Sequence, residues 1–157
     1  MVRIYPAQSE SDYALALELI REYAANLCHD LEFQDFRGEV ANLPAVYGPP
    51  AGRLLLAEID TVPAGCVALR GRDGGVCEMK RMYVRPAFRR RGLGRKLAEA
   101  IIAIGRELGY ERMRLDTLAH MHVPRSLYRS LGFVEVPPYY NNPLESAVYF
   151  ELDLRRQ

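Results

Sequence analysis

The chain has 157 residues, a mass of 17.8 kDa and a formal net charge of +1, with 49% hydrophobic and 26% charged residues. These values suit one folded domain, so we expect a single domain over residues 1–157, and they exclude a disordered chain, a collagen-like fibre and a small disulfide scaffold. No uncharged apolar run reaches the roughly 18 residues of a membrane span, and the N-terminus lacks the apolar stretch of a secretory signal. We therefore expect a cytoplasmic protein that does not bind membranes.

The first third of the chain predicts a strand followed by helices. Ser9 and Asp12 form a capping pattern ahead of a helix. Pro44 is expected to end a second, weaker helix. In order, the elements are a strand at 2–5, an amphipathic helix over 10–27, a weaker helix over 31–43 and a turn at 48–52.

Three strand-like runs follow at 53–59, 64–70 and 76–84, and the short polar breaks between them predict an antiparallel meander. Apolar residues then recur at helical spacing from Leu93 to Leu108, and Gly109 is expected to end that helix.

The last elements are a strand over 113–118, a short helix that opens at Pro124 and ends at Gly132, and strands over 133–136 and 147–154. This order predicts an α/β fold with a mixed, mostly antiparallel sheet of six to seven strands, flanked by about four helices.

Charge is concentrated in one segment. Residues 80–96 contain eight basic and no acidic side chains, whereas the rest of the chain has 13 basic and 20 acidic ones. Within this segment a strand ends, Gly92 and Gly94 follow, and a helix begins. The first N–H groups of a helix have no partner within it, and glycine leaves them accessible, so the segment indicates a site for a phosphate or pyrophosphate.

The glycine turn does not match two other phosphate-binding motifs. A Walker loop is excluded because no Gly-Lys-Ser/Thr ending is present, and a dinucleotide fingerprint is excluded because position 97 is Leu. A solvated basic turn remains the alternative. A nucleic-acid site is disfavoured because no broad basic face with exposed stacking aromatics is evident.

The segment from Arg89 to Gly94, Arg-Arg-Arg-Gly-Leu-Gly, resembles the hallmark Arg/Gln-x-x-Gly-x-Gly/Ala of the GNAT N-acetyltransferases. Val84-Arg-Pro86 before it is common in that family. A second family motif, an apolar residue and Tyr followed by x-x-x-Gly-Phe, is matched by residues 127–133, and the two motifs lie 39 residues apart, counted from Arg89 to Tyr128. The resemblance covers residues 53–154 well.

The resemblance implies acetyl-CoA as cosubstrate, with a pyrophosphate on the amides of the glycine turn and the pantetheine arm along the end of the third meander strand. The implied cofactor-binding residues are Met82, Tyr83, Val84, Arg89, Arg90, Arg91, Gly92, Leu93, Gly94 and Arg95. Many members carry Asn and a small residue where this chain has Met121 and Pro124. A polar contact to the cofactor arm is therefore missing from the motif, and His122 is a candidate substitute.

The resemblance also implies catalytic roles. Glu78, eleven residues before Arg89, matches the general base of histone-type members, and Tyr128 matches the residue near the thioester sulfur that protonates the leaving thiolate. The alternatives are that Glu78 is a surface residue paired with Lys80 or Arg81, and that Tyr128 belongs to an apolar helix stripe.

Other chemistries have weaker support. Cys28, Cys66 and Cys77 have no metal-type spacing, so we expect reduced, mostly buried thiols and no metal site. Cys66 or Cys77 as an acyl-carrying nucleophile lacks an activating partner in sequence. His120 and His122 lack a third ligand at metal spacing.

The expected function is transfer of an acetyl group to a primary amine of a small molecule or peptide by direct attack on the thioester. The alternative is a CoA-binding regulatory module without turnover. The candidate acceptor-binding residues are Phe33, Phe36, Tyr139 and Tyr140, whose acidic and aromatic surroundings would suit a cationic amine. The alternative is that the acidic residues are surface residues and the aromatic residues belong to the core. We expect a monomer or homodimer.

Overall fold

The computed structural model of the chain describes residues 1–26, 36–118, 125–140 and 147–155. Within these ranges, seven strands form one mixed sheet and five α-helices pack on it. The strands are β1 (Val2–Pro6), β2 (Arg53–Ile59), β3 (Val62–Gly71), β4 (Val76–Val84), β5 (Arg112–Leu118), β6 (Val134–Val136) and β7 (Ala147–Asp153). The helices are α1 (Glu10–Ala25), α2 (Phe36–Ala41), α3 (Leu43–Tyr47), α4 (Leu93–Glu107) and α5 (Arg125–Ser130).

The strands lie side by side in the order β1-β2-β3-β4-β5-β7-β6, and every neighbouring pair is antiparallel except β4 and β5. The predicted fold class and strand number are confirmed, with five helices in the described ranges instead of about four. None of these helices combines the length and apolar character that crossing a bilayer requires.

Helix ends follow the local chemistry that the sequence indicates. At the start of α1, the Ser9 hydroxyl accepts a hydrogen bond from the Asp12 amide at 3.1 Å, and the Asp12 carboxylate accepts one from the Ser9 amide at 3.2 Å. At the end of α4, Gly109 has a φ of 86°, the left-handed conformation that glycine adopts without a steric penalty. Both predicted boundaries are therefore confirmed.

The prediction that a helix over 31–43 ends before Pro44 is wrong. Residues 36–41 and 43–47 form two short helices, and Pro44 lies in the first turn of α3. Proline fits there because the amides of a first helical turn have no intrahelical acceptor, so the missing N–H costs nothing. The Asn42 side chain accepts a hydrogen bond from the Ala45 amide at 3.4 Å and begins this helix.

Two apolar cores cover the two faces of the sheet. The first lies between the sheet and α4, whose buried stripe includes Leu93, Leu97 and Ile101. The second lies between β2, β3, β4 and the helices α1 and α3. Strand residues alternate between these cores because successive side chains point to opposite faces.

The β4–β5 pair is short, and the two strands separate after it. Only residues 76–78 of β4 pair with residues 112–114 of β5. Beyond this point β4 stays paired with β3, and β5 stays paired with β7, so the two strands leave an opening between residues 79–84 and residues 115–118. We call this opening the wedge. It runs toward the start of α4, which follows β4 along the chain.

Candidate functional site

The glycine turn places open backbone amides at the end of β4. Arg90 and Gly92 have positive φ values of 66° and 76°, and α4 begins directly after Gly92. No side chain caps this helix within the described residues. A Cβ added at Gly94 would meet only the Leu127 side chain, at 3.9 Å, so packing within the protein does not itself require glycine there. The turn therefore has room for a group that approaches its backbone closely.

The arginines around this turn differ in their surroundings. Arg90 and Arg91 are exposed, and the Arg91 guanidinium lies 5.6 Å from the centre of the Phe88 ring. Arg89 donates from Nε to the Val84 carbonyl oxygen at 2.9 Å. Arg95 donates to the Ser130 hydroxyl and so links α4 to α5. Two arginines thus support the turn, while two are available to an anion.

The predicted cofactor-arm residues lie along the wedge. Met82 and Val84 are buried on the α4 side of the sheet, and Tyr83 is buried on the α1 side. The Tyr83 hydroxyl donates to Glu22 at 3.2 Å. The Val84 carbonyl already accepts the Arg89 hydrogen bond, so this acceptor on the β4 backbone has a partner within the chain.

Tyr128 is buried between aromatic rings, with its ring centre 5.9 Å from those of both Phe133 and Phe150. Burial raises the pKa of its hydroxyl well above the usual value, with smaller contributions from Tyr23 and Asp116. The hydroxyl makes no hydrogen bond with a described residue. The side chain therefore belongs to the apolar core, and its hydroxyl stays protonated.

Glu78 is almost fully buried, with 3% of its surface exposed. Its carboxylate pairs with Arg72, and Arg70 Nε lies 3.8 Å away. The interpretation of Glu78 as a surface residue paired with Lys80 or Arg81 is wrong, because the β3–β4 hairpin brings Arg70 and Arg72 over it. Both contacts are made to Oε1, so Oε2 has no ion pair or hydrogen bond with a described residue.

Glu78 belongs to a row of alternating charges across four strands. Arg70 of β3 pairs in register with Glu78 of β4, Glu78 with Arg114 of β5, and Arg114 with Glu151 of β7. The Arg114 and Glu151 side chains form an ion pair at 2.8 Å. All four point away from the α4 core, since their neighbours along the strands are buried in it.

Lys80 and Asp116 lie next to this row, on the same face and on opposite sides of the wedge. We call the six residues Arg70, Glu78, Lys80, Arg114, Asp116 and Glu151 the polar face. Burial lowers the pKa of Lys80, and so does Arg81, while Asp116 and Glu78 act in the opposite direction. The polar face therefore places basic and acidic groups together where β4 and β5 diverge.

Two of the predicted acceptor residues, Tyr139 and Tyr140, cover the polar face. The Tyr139 ring centre lies 5.2 Å from the Arg114 guanidinium, and the Tyr140 hydroxyl donates to Asp116 at 2.8 Å. The Tyr139 hydroxyl is buried and has no hydrogen-bond partner among the described residues. Burial raises its pKa, with contributions from Asp116 and Glu78.

Of the other two predicted acceptor residues, Phe36 and Phe33, the structure describes only Phe36. Phe36 lies at the start of α2, with its ring centre 5.5 Å from the Arg81 guanidinium, and it packs against the second core. Phe33 lies outside the described residues.

A buried ion pair beside the wedge was not predictable from any pattern in the sequence. Arg81 donates two hydrogen bonds to the Glu39 carboxylate, at 2.8 and 2.7 Å, with side chains only 2% and 3% exposed. Arg81 has a φ of 56° and lies at an irregularity in the β3–β4 register. This bulge turns Arg81 to the α2 side, where the pair fixes α2 to the sheet. No local pattern connects residues 42 positions apart.

The alternative nucleophiles lack activation. Burial raises the pKa of the Cys66 thiol to about 12 and that of the Cys77 thiol to about 12. Within the described ranges no group of three or more His, Cys, Asp or Glu residues could hold a metal ion. Cys28, His120, Met121, His122 and Pro124 lie outside the described residues.

Comparison with known proteins connects this chain to one family. A model of the acetyltransferase (GNAT) family matches residues 14–133. An uncharacterized N-acetyltransferase of Schizosaccharomyces pombe is 43% identical over 140 residues, covering 88% of this chain and 86% of that protein.

Solved structures share the fold. A GNAT-family acetyltransferase from Staphylococcus aureus has a TM-score of 0.81 at 20% identity, covering 98% of this chain and 99% of that one. An acetyltransferase from Salmonella typhimurium, solved with acetyl-CoA, has a TM-score of 0.69 at 21% identity, covering 99% and 95%.

Proposed function

Because this chain belongs to the GNAT family of acetyltransferases and is thus an acyltransferase, we propose that it transfers an acetyl group from acetyl-CoA to a primary amine by direct attack on the thioester. The observation that carries the proposal is the wedge, which leads from the polar face to the uncapped start of α4. An extended ligand with an anionic end fits this path. The acceptor is an amine of a small molecule or peptide.

The cosubstrate site would use the glycine turn. The amides that follow Gly92 would hold the diphosphate, with charge from Arg90 and Arg91. The room beside Gly94 supports this assignment, because a diphosphate could approach the backbone there. The edge of β4 from Met82 to Val84 would take the pantetheine arm. Acetyl-CoA supplies the acetyl group as a reactive thioester.

Proton removal would fall to Glu78. An alkyl amine has a pKa near 10, so only about one molecule in a thousand is neutral at pH 7 and able to attack. The Glu78 Oε2 atom could accept the amine proton directly or through water, since Arg70 and Arg72 contact only Oε1. Asp116 lies on the same face of the sheet across the wedge, where its carboxylate accepts a hydrogen bond from the Tyr140 hydroxyl.

Proton donation would fall to Tyr128. Its raised pKa keeps the hydroxyl protonated, which a donor to a departing thiolate requires. Its neighbours Phe133 and Phe150 hold the ring in place and exclude water. The roles of Glu78 and Tyr128 remain predictions, as do the cytoplasmic location, the independence from nucleic acid and the monomeric or homodimeric state.

The test is release of free CoA from acetyl-CoA by the purified protein in the presence of a panel of amines. Thiol detection should report turnover, and mass spectrometry should identify the acetylated amine. Calorimetry with CoA measures the cosubstrate site separately. Folded protein that gives no heat with CoA and no thiol with any amine would contradict the proposal. Binding without turnover would favour a regulatory CoA-binding module.

A further inference from the structure

Three polar groups on or beside the polar face have unused hydrogen-bonding capacity. The Arg70 side chain is 28% exposed, and its one ion pair within the described ranges is the 3.8 Å contact with Glu78, which is too long for a hydrogen bond. The Tyr139 hydroxyl is buried without a partner among these residues. The Glu78 Oε2 atom is also without a partner there. Arg70 and the Tyr139 hydroxyl can donate hydrogen bonds, and the Glu78 Oε2 atom can accept one.

The charges of this region are unequal. The guanidiniums of Arg70, Arg72 and Arg114 face the carboxylates of Glu78 and Glu151. Next to this row, Asp116 lies across the wedge from Lys80, whose pKa is lowered by burial. The described side chains of the row itself thus carry one excess positive charge. A simple ammonium compound would increase that excess, whereas a molecule with an amine and an anionic group would bring its own compensation.

Arg70 and Glu78 Oε2 are close enough for one small molecule to reach both, and the Tyr139 ring lies beside Arg114, the register partner of Glu78 on β5. Arg70 and Glu78 are register partners on adjacent strands, whose backbones lie about 4.8 Å apart. Arg70 Nε is 3.8 Å from Glu78 Oε1. An amine at Oε2 and an anionic group at the Arg70 guanidinium would therefore be separated by few bonds. An α-amino acid, in which one carbon joins the amine to the carboxylate, has this spacing.

From these observations we propose that the acceptor is a free α-amino acid, with its carboxylate bound by Arg70, its amine directed to Glu78 and the buried Tyr139 hydroxyl as a further hydrogen-bond donor to it. The inference rests on the proposed acetyltransferase function and narrows its acceptor class. Guanidinium and phenol groups both donate to carboxylates, and the planar guanidinium can bind both oxygens. A zwitterionic acceptor thereby replaces the cationic amine that the sequence predicts.

The experiment compares acceptors that differ only in the carboxylate. The common L-amino acids are screened for thiol release with acetyl-CoA. Matched sets such as L-phenylalanine, L-phenylalaninamide and phenethylamine, or L-leucine and isoamylamine, then give kcat/KM ratios. We expect the amino acid to exceed its decarboxylated amine by about tenfold or more, the effect of one or two charge-assisted hydrogen bonds.

Variants identify the binding groups. Arg70→Gln should bring the ratio between amino acid and amine toward one, Arg70→Lys should retain part of it, and Tyr139→Phe should reduce it. Arg3→Gln is the matched control, because Arg3 lies on β1 at the far edge of the sheet and is 62% exposed. This variant loses the same charge and should keep the wild-type ratio.

The outcomes separate this inference from the proposed function. Thiol release that is equal or faster with the decarboxylated amines would overturn the inference and leave the acetyltransferase assignment intact. If CoA binds but no amino acid releases thiol, and none binds to the CoA-saturated protein in calorimetry, the inference is also overturned. If CoA itself does not bind, the proposed function fails and the inference fails with it.

Discussion

Glu78 and Arg114 form the last register pair that joins β4 to β5 before the strands separate. The parallel ladder ends at this pair, so the carboxylate lies at the closed end of the wedge instead of on an ordinary sheet surface. Burial and the contacts from Arg70 and Arg72 then hold its Oε1 atom. The end of the β4–β5 pairing therefore places Glu78, the candidate base, next to the wedge, the proposed path of the cosubstrate.

Glu78→Gln should lower the acetylation rate by about 10²-fold at pH 7, because general base catalysis contributes 10²–10⁴-fold. The loss should shrink as pH rises, since the free amine fraction then increases without help from the protein. The measurement is a pH–rate profile of both proteins, with thermal unfolding as the check on folding. A variant whose profile matches the wild type would remove Glu78 from the role of base.

Tyr128→Phe should keep the fold and the affinity for CoA but lose turnover by about tenfold or more, because the departing thiolate loses its proton donor. Stability should change little, since the hydroxyl has no hydrogen bond with a described residue and the ring contacts with Phe133 and Phe150 remain. Single-turnover kinetics with CoA titrations separate the two effects. Turnover equal to that of the wild type would show that Tyr128 is only a core residue.

Gly94→Val should weaken CoA binding at least tenfold while leaving the protein folded. A Cβ at this position meets only Leu127 at 3.9 Å, but a branched side chain would occupy the space beside the backbone amides. Gly94→Ala is the control, because the smaller side chain should keep most of the affinity and favour the helix by about 1 kcal/mol. Calorimetry reports both affinities. Equal affinity of the valine variant would place the diphosphate elsewhere.

Glu39→Gln should destabilise the protein by about 3–5 kcal/mol, because it leaves the buried Arg81 charge without its partner. Replacing both residues, as in Glu39→Leu with Arg81→Met, should recover much of this loss, since two apolar groups need no compensation. Urea unfolding of the single and double variants gives the coupling energy. Strictly additive effects would mean that the pair does not act as a unit.

Cys66 and Cys77 should resist alkylation in the native protein at pH 8. Burial raises the pKa of each thiol to about 12, so both stay protonated at this pH, and only the thiolate reacts. Mass spectrometry after timed labelling distinguishes these positions from Cys28, and labelling in urea is the control for reagent activity. Rapid modification of either residue in folded protein would contradict the assigned burial.

Local features were predictable because their causes are local. The capping pair of Ser9 and Asp12, the apolar stripe that begins at Leu93, and Gly109 at the end of α4 each depend on residues within a few positions. Helix periodicity, cap hydrogen bonds and glycine conformations act over such distances. The same reasoning failed at Pro44, because a proline is compatible with both the end of one helix and the first turn of the next.

The sequence by itself therefore determined the strand–turn–helix segment with its glycines, the order of most elements and the positions of Glu78 and Tyr128 along the chain. Only the tertiary structure decided that Glu78 meets Arg70 and Arg72, that Arg81 pairs with Glu39, and that Tyr139 lies over Arg114. These contacts depend on strand register and on a bulge at Arg81. A shift of one residue in either would turn the side chains to the other face of the sheet, and no local pattern sets that choice.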